Sequence, residues 1–159
     1  MKILFINPDK CVGCMACVTA CSLQHGKNIG PLNSMILPIR LRKQAINIPV
    51  VCRQCLHPLC ADVCPMGAIT RDEATGAMIV DADLCIACGM CMISCPLGGI
   101  SINTSKGYAV KCDLCHGDPL CLKFCTYGAI EYITAEEFNL ERKRDSVEKL
   151  ASMLEKLAL

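Results

Sequence analysis

The chain has 159 residues, enough for one domain or two small fused ones, and sixteen of them are cysteine. There is no Trp and there are only three Phe and three Tyr, which excludes a conventional aromatic core, and a formal net charge of +1 offers no basic face for nucleic acid. No stretch approaches the roughly 18 uninterrupted apolar residues of a membrane span, and the apolar run in residues 1–8 is too short for a signal peptide. A reducing, cytoplasmic setting is expected, and cysteines there bind metal rather than pair as disulfides.

Residues 2–6 read as a short strand, followed by a turn at Asn7-Pro8-Asp9. The first cysteine group is Cys11, Cys14, Cys17 and Cys21, with gaps of two, two and three residues, and Ser22 follows it. Residues 25–31 have loop composition. Residues 35–42 and 45–51 form the two strands of a hairpin, with Pro38 and Pro49 at edge positions. The second group is Cys52, Cys55, Cys60 and Cys64, followed by Pro65; its middle gap is lengthened to four residues. Ile69-Thr70 is expected to pair with residues 78–80 across the turn at residues 72–76. The third group, Cys85, Cys88, Cys91 and Cys95, has gaps of two, two and three residues and is followed by Pro96. Residues 100–103 are expected to pair with residues 108–110. The fourth group is Cys112, Cys115, Cys121 and Cys125, with gaps of two, five and three.

A repeat runs through these groups. Cys64-Pro65-Met66-Gly67-Ala68-Ile69, Cys95-Pro96-Leu97-Gly98-Gly99-Ile100 and Cys125-Thr126-Tyr127-Gly128-Ala129-Ile130 match at separations of 31 and 30 residues. Each places a cysteine, a turn and then a strand. Residues 134–159 differ in kind. Thr134-Ala135-Glu136-Glu137 is a capping box, and Val147, Leu150, Leu154 and Leu157 recur at helical spacing among charged residues.

The third group is a complete C-x2-C-x2-C-x3-C-P run, the pattern of bacterial ferredoxins. In that pattern three cysteines hold one cubane iron–sulfur cluster and the fourth ligates another. A cubane needs four soft thiolates at one place. Two-residue gaps let a short irregular loop present three sulfurs, and a three-residue gap sets the third and fourth cysteines one helical turn apart. Sixteen cysteines divide into four [4Fe–4S] clusters with none left over. Each oxidised cubane with its thiolates carries roughly −2, so the loaded protein would sit near −7.

A disulfide scaffold and a zinc module fit the spacing less well, since zinc sites use paired C-x2-C units or histidine. His25, His57 and His116 read as loop residues beside filled ligand positions. Met15, Met66, Met90 and Met92 read as adaptable packing that shields clusters from water. Lys111 and Arg53 adjoin cysteines, where a positive charge raises a cluster's potential. No nucleophile triad, phosphate loop or carboxylate pair stands out, so no substrate-converting site of the chain's own is expected.

With four groups in this order, the chain resembles the four-cluster iron–sulfur subunits of molybdopterin and tungstopterin oxidoreductases. The resemblance covers residues 1–133 and rests on Asp9-Lys10-Cys11-Val12-Gly13-Cys14, Cys52-Arg53-Gln54-Cys55, His57-Pro58-Leu59-Cys60 and Lys111-Cys112-Asp113-Leu114-Cys115. Its compact form is most similar to the small subunit of tungsten-dependent aldehyde oxidoreductases. Related subunits serve benzoyl-CoA reductases, formate dehydrogenases, hydrogenases and carbon monoxide dehydrogenases. The departures are the missing Pro after Cys21 and Cys125, and Met15 and Val18 where charged residues are common.

The resemblance implies an α+β architecture of two fused dicluster ferredoxin folds. The inner half covers about residues 50–104. The outer half takes about residues 1–30 plus 105–133, a hairpin insert covers about residues 31–51, and a docking helix spans residues 134–159. It also implies the ligand sets. Cys11, Cys14 and Cys17 would take Cys125. Cys112, Cys115 and Cys121 would take Cys21. Cys85, Cys88 and Cys91 would take Cys64, and Cys52, Cys55 and Cys60 would take Cys95. The implied partners are a large catalytic subunit with a tungsten or molybdenum pterin and an acceptor carrying flavin and NAD, or a ferredoxin. Clusters exposed at both ends would also allow stacking with copies of the same chain. A free polyferredoxin is the alternative.

Overall fold

Four two-stranded antiparallel ladders organise the described residues, 2–26 and 28–157 of this computed structural model. The first strand, β1, spans Lys2–Ile6. A 3-10 turn at Pro8–Lys10 follows, capped by the Asn7 side chain, which accepts a hydrogen bond from the Asp9 N–H. Helix α1 spans Ala16–His25. The insert is the hairpin of β2 (Ile36–Leu41) and β3 (Ile46–Val51), with Pro38 directly opposite Pro49. A two-stranded ladder has only edges, so both prolines are tolerated there.

The short helix α2 spans Leu59–Asp62 and leads to β4 (Ile69–Arg71), which pairs with β5 (Met78–Val80). Helix α3 spans Met90–Ser94. It is followed by β6 (Ile100–Asn103) and its partner β7 (Tyr108–Lys111). Helix α4 is Leu120–Lys123, β8 is Ile130–Thr134, and α5 runs over Ala135–Leu157. The hairpins and strands expected from the repeat are therefore present. The three turns after Cys64, Cys95 and Cys125 share one backbone, with φ of +60°, +64° and +62° at Gly67, Gly98 and Gly128.

Two features were not legible. First, β1 pairs with β8, from Lys2 opposite Thr134 to Ile6 opposite Ile130, so the two ends of the cysteine-bearing region close on each other. Second, the helix continues past Cys21 through residues 22–25, so His25 is helical rather than the start of the loop. Proline after the fourth cysteine would stop a helix by removing an amide donor and clashing with the preceding turn. Ser22 does neither. It is fully buried, and its hydroxyl donates to the Val18 carbonyl at 2.7 Å.

Burial forms two groups. One joins Leu4, Ile6, Val18, Ile36, Val51 and Ile130 with Cys17, Cys21, Cys112 and Cys121. The other joins Ile69, Met78, Ile100 and Ala109 with Cys91, and packs Cys60, Cys64, Cys85 and Cys95 against it. Cysteines thus occupy places that aliphatic side chains fill in an ordinary core.

Helix α5 starts on a closed capping box: the Thr134 N–H donates to Glu137 Oε2 at 2.7 Å and the Glu137 N–H donates to Thr134 Oγ1 at 3.2 Å. Phe138 meets Phe5 of β1 with ring centroids 5.2 Å apart. Beyond that anchor the apolar stripe is open: Leu140, Val147, Leu150, Leu154 and Leu157 are each at least half exposed. The stripe does not fold back on the cysteine-bearing region. Met1, Lys27, Ala158 and Leu159 lie outside the described residues, so the expected end of this helix at 159 does too.

Candidate iron–sulfur sites

The first two cysteines of every group bracket one repeated loop. Its second inner residue is Gly13, Gln54, Ala87 or Leu114, and all four are left-handed, with φ of +73°, +51°, +53° and +59°. Three of these carry side chains, for which this region costs on the order of 1–2 kcal/mol. The gain is geometric: alternating right- and left-handed residues turn successive N–H groups toward one point and make an anion-binding hollow. Gly13 has a further reason to lack a side chain, because a Cβ there would lie 2.7 Å from Asn47 Oδ1. Asn47 belongs to the hairpin insert and donates its Nδ2 to the Cys11 carbonyl, holding the insert against the first loop.

The loops bring distant cysteines together. Cys11, Cys14, Cys17 and Cys125 line one small hollow, with Met15 and Tyr127 beside them. Cys64, Cys85, Cys88 and Cys91 line a second of the same size, with Met66 and Met90. Met92 is exposed and lines neither.

The other two sets are tied through their electrostatics. Burial pushes the Cys121 thiol up to about 12, and the neighbouring sulfurs of Cys21, Cys115 and Cys17 push the same way. Burial raises Cys115 as well, with Asp113, Cys21 and Asp118 adding to it. At Cys60 burial raises the thiol, the Lys111 ammonium opposes it, and Cys52 and Cys95 reinforce it. Cys21 thus lies near Cys115 and Cys121, and Cys52 and Cys95 lie near Cys60.

Sulfurs of different groups also act on one another. Cys52 bears on Cys112, and Cys17 bears on Cys121.

The donor chemistry fits a cubane. All sixteen cysteines are free. Burial pushes Cys17 up to about 11, with Cys11, Cys14 and Cys125 adding to the shift, so thiolates gathered here call for metal between them. Four backbone N–H groups already donate to sulfur: Met35 to Cys21 at 3.2 Å, Ala129 to Cys125 at 3.3 Å, and Gly99 to Cys95 and Ala109 to Cys85 at 3.4 Å. Such bonds favour the ionised sulfur.

Among the histidines, His25 departs from the loop reading. Its Nε2 lies 3.5 Å from Cys115 Sγ and 3.5 Å from Asp113 Oδ1. The signal was present: with no proline at 22, His25 follows Cys21 by four residues and shares its helix face. His57 and His116 are exposed, and Arg53 is half-buried. Lys111, by contrast, is buried, with 4% of its surface exposed.

Repeated cysteine loops, free thiols and short two-stranded ladders fit an iron–sulfur protein of the ferredoxin class. The family model of the 4Fe-4S dicluster domain matches residues 44–134, and that of a 4Fe-4S binding domain matches residues 2–23. The chain belongs to the 4Fe-4S dicluster domain family.

Among its relatives, the polyferredoxin-like subunit of the aliphatic sulfonate oxidoreductase of Pyrococcus furiosus is 42% identical over 114 residues, covering 72% of this chain and 65% of that one. The beta subunit of the NADH-dependent phenylglyoxylate dehydrogenase of Aromatoleum evansii is 36% identical over 131 residues, covering 80% and 29%. The chain thus spans less than two thirds of the length of either relative. In fold it resembles a chain of the active site complex BamBC of benzoyl coenzyme A reductase bound to 1,5 dienoyl-CoA, with a TM-score of 0.50, 25% identity and 98% of each chain covered. The molecule is an iron–sulfur, ferredoxin-like chain related to subunits of oxidoreductases.

Proposed function

We propose that the chain is an electron-transfer subunit that relays single electrons through four [4Fe–4S] clusters between a catalytic subunit and an acceptor. The observation that carries this reading is the convergence of cysteines from separate groups, Cys125 on Cys11, Cys14 and Cys17, and Cys64 on Cys85, Cys88 and Cys91; the reading sets four clusters in a row. Cys85, Cys88 and Cys91 with Cys64, Cys52, Cys55 and Cys60 with Cys95, Cys112, Cys115 and Cys121 with Cys21, and Cys11, Cys14 and Cys17 with Cys125 would hold one cluster each.

Each bound cluster supplies reversible one-electron chemistry without bond making. The protein does the rest. Its thiolates hold the iron, its left-handed loops and N–H···S bonds stabilise the negative charge, and Met15, Met66 and Met90 narrow the access of water. The inner and outer halves each carry two quartets, and residues 134–159 form the docking element, α5 laying its open apolar stripe on the catalytic subunit.

In the finer reading the partner holds a tungsten or molybdenum pterin and oxidises aldehydes, with a flavin and NAD protein or a ferredoxin as acceptor, in the cytoplasm. The likeness to the sulfonate oxidoreductase subunit and to the benzoyl coenzyme A reductase complex favours a second reading, in which the catalytic partner acts on a sulfonate or an aromatic thioester.

Anaerobic purification of the tagged chain from its native host, with metal analysis and a gel of bound proteins, tests the proposal. About 16 iron per chain with a large partner containing tungsten or molybdenum is expected. The same iron without a partner indicates a free polyferredoxin, and zinc in place of iron ends the electron-relay reading.

A further inference from the structure

Lys111 is the last residue of β7 and immediately precedes Cys112. Neighbouring strand residues point to opposite faces. Cys112 belongs to the outer hydrophobic group, whereas Ala109 belongs to the inner one and Lys111 shares its face. The lysine side chain therefore crosses from the outer quartets toward the inner ones.

Its Nζ donates to the Met78 carbonyl of β5 and lies 3.5 Å from Gln54 Oε1. Gln54 is 1% exposed and fully used: its Nε2 donates to the Cys112 carbonyl at 2.7 Å, and its Oε1 accepts the Met78 N–H at 2.7 Å. Both partners of the ammonium are neutral, and among the described residues Lys111 makes no ion pair with a carboxylate. A buried cation held only by neutral dipoles is costly unless negative charge lies nearby. Gln54 lies between Cys52 and Cys55, so its contact sets the ammonium beside the loop of the second cysteine group, and Cys60 of that group feels its charge.

We propose that Lys111 is a positioning residue of the electron path, the buried countercharge of the cluster held by Cys52, Cys55, Cys60 and Cys95, and that it raises the reduction potential of that one cluster. The proposal rests on the four-cluster reading. Reduction adds one electron to the site and no bond forms or breaks, so the reduced form is the more negative one. A fixed positive charge in a low-dielectric place stabilises that form. Gln54 locks the ammonium in place and ties it to the backbone of Cys112, so the charge sits at the junction between the two halves. That places the raised potential at the second position of the row rather than at either end.

The test is an anaerobic redox titration of the full-length, iron-loaded protein, followed by electron paramagnetic resonance, for the parent, Lys111→Met and Lys111→Arg. In Lys111→Met one cluster step is expected to fall by at least a tenfold change in its oxidised-to-reduced ratio, which is 59 mV for one electron. The other steps and the iron content stay, and Lys111→Arg keeps the parent potentials. No step moving by that amount in Lys111→Met overturns the proposal. If Lys111→Met loses iron, Lys111→Arg decides: retained iron and parent potentials support the charge role, and iron loss in both variants overturns it. A parent chain without iron overturns the four-cluster reading itself, which separates that failure from this one.

Discussion

A Cβ on Gly99 would lie 2.6 Å from the Cys52 Cα and 2.9 Å from its amide nitrogen, closer than packed atoms approach. The repeat carries Ala68 and Ala129 at the equivalent places, so Gly99 is the departure, and the backbone of the second cysteine group explains it. Because Gly99 also donates its N–H to Cys95 Sγ, this contact fixes the fourth cysteine of one group against the first of another. Gly99→Ala is expected to cost about 1–3 kcal/mol by overpacking, while Ala68→Gly costs no more than about 1 kcal/mol. Denaturant unfolding of the iron-loaded variants compares them, and equal stability would remove this account of Gly99. The glycine is visible in the repeat, but what it makes room for lies 47 residues away in the chain and has no local signature.

Helix α1 owes its last turn to Ser22, and its length decides where His25 stands. Ser22→Pro is expected to cost about 3 kcal/mol and to withdraw His25 from Cys115, shifting the absorption of the loaded protein and lowering its melting temperature. An unchanged spectrum and melting curve would show that the extra turn is idle. Helix α5 has its own switch. The Thr134 N–H and then its hydroxyl hold the Glu137 carboxyl below its usual range. A carboxyl with a depressed pKa contributes stability above its unfolded value and loses that contribution as pH falls through the folded one. The start of α5 is therefore expected to fray in acid, and Glu137→Gln is expected to weaken the pH dependence while keeping a capping partner, the rest lying with Glu136, which is also held low. Circular dichroism between neutral and acidic pH reads both, and identical profiles would sink the idea. The capping box was readable because its residues are three apart. The stripe of Val147, Leu150, Leu154 and Leu157 was readable for the same reason.

At the scale of the molecule, cysteines stand inside both hydrophobic groups, so metal loading and packing are one event. Stripping iron with a chelator under reducing conditions is expected to abolish the ordered fold, read as loss of strand and helix signal together with rapid proteolysis. A metal-free chain that keeps a native-like spectrum would contradict this coupling. The sequence by itself determined what depends on short separations: the four cysteine groups and their gaps, the hairpins, the turn after each fourth cysteine and the start of α5. Those follow from bond geometry and local hydrogen bonding, which act over a few residues. Only the tertiary structure decided that β1 closes on β8, that residues 22–25 stay helical against Cys115, that Lys111 is buried between the quartets, and that Gly99 meets Cys52. These depend on which surfaces remain to be covered once the local units have formed, and that is settled by packing across the whole chain rather than by spacing within any one group.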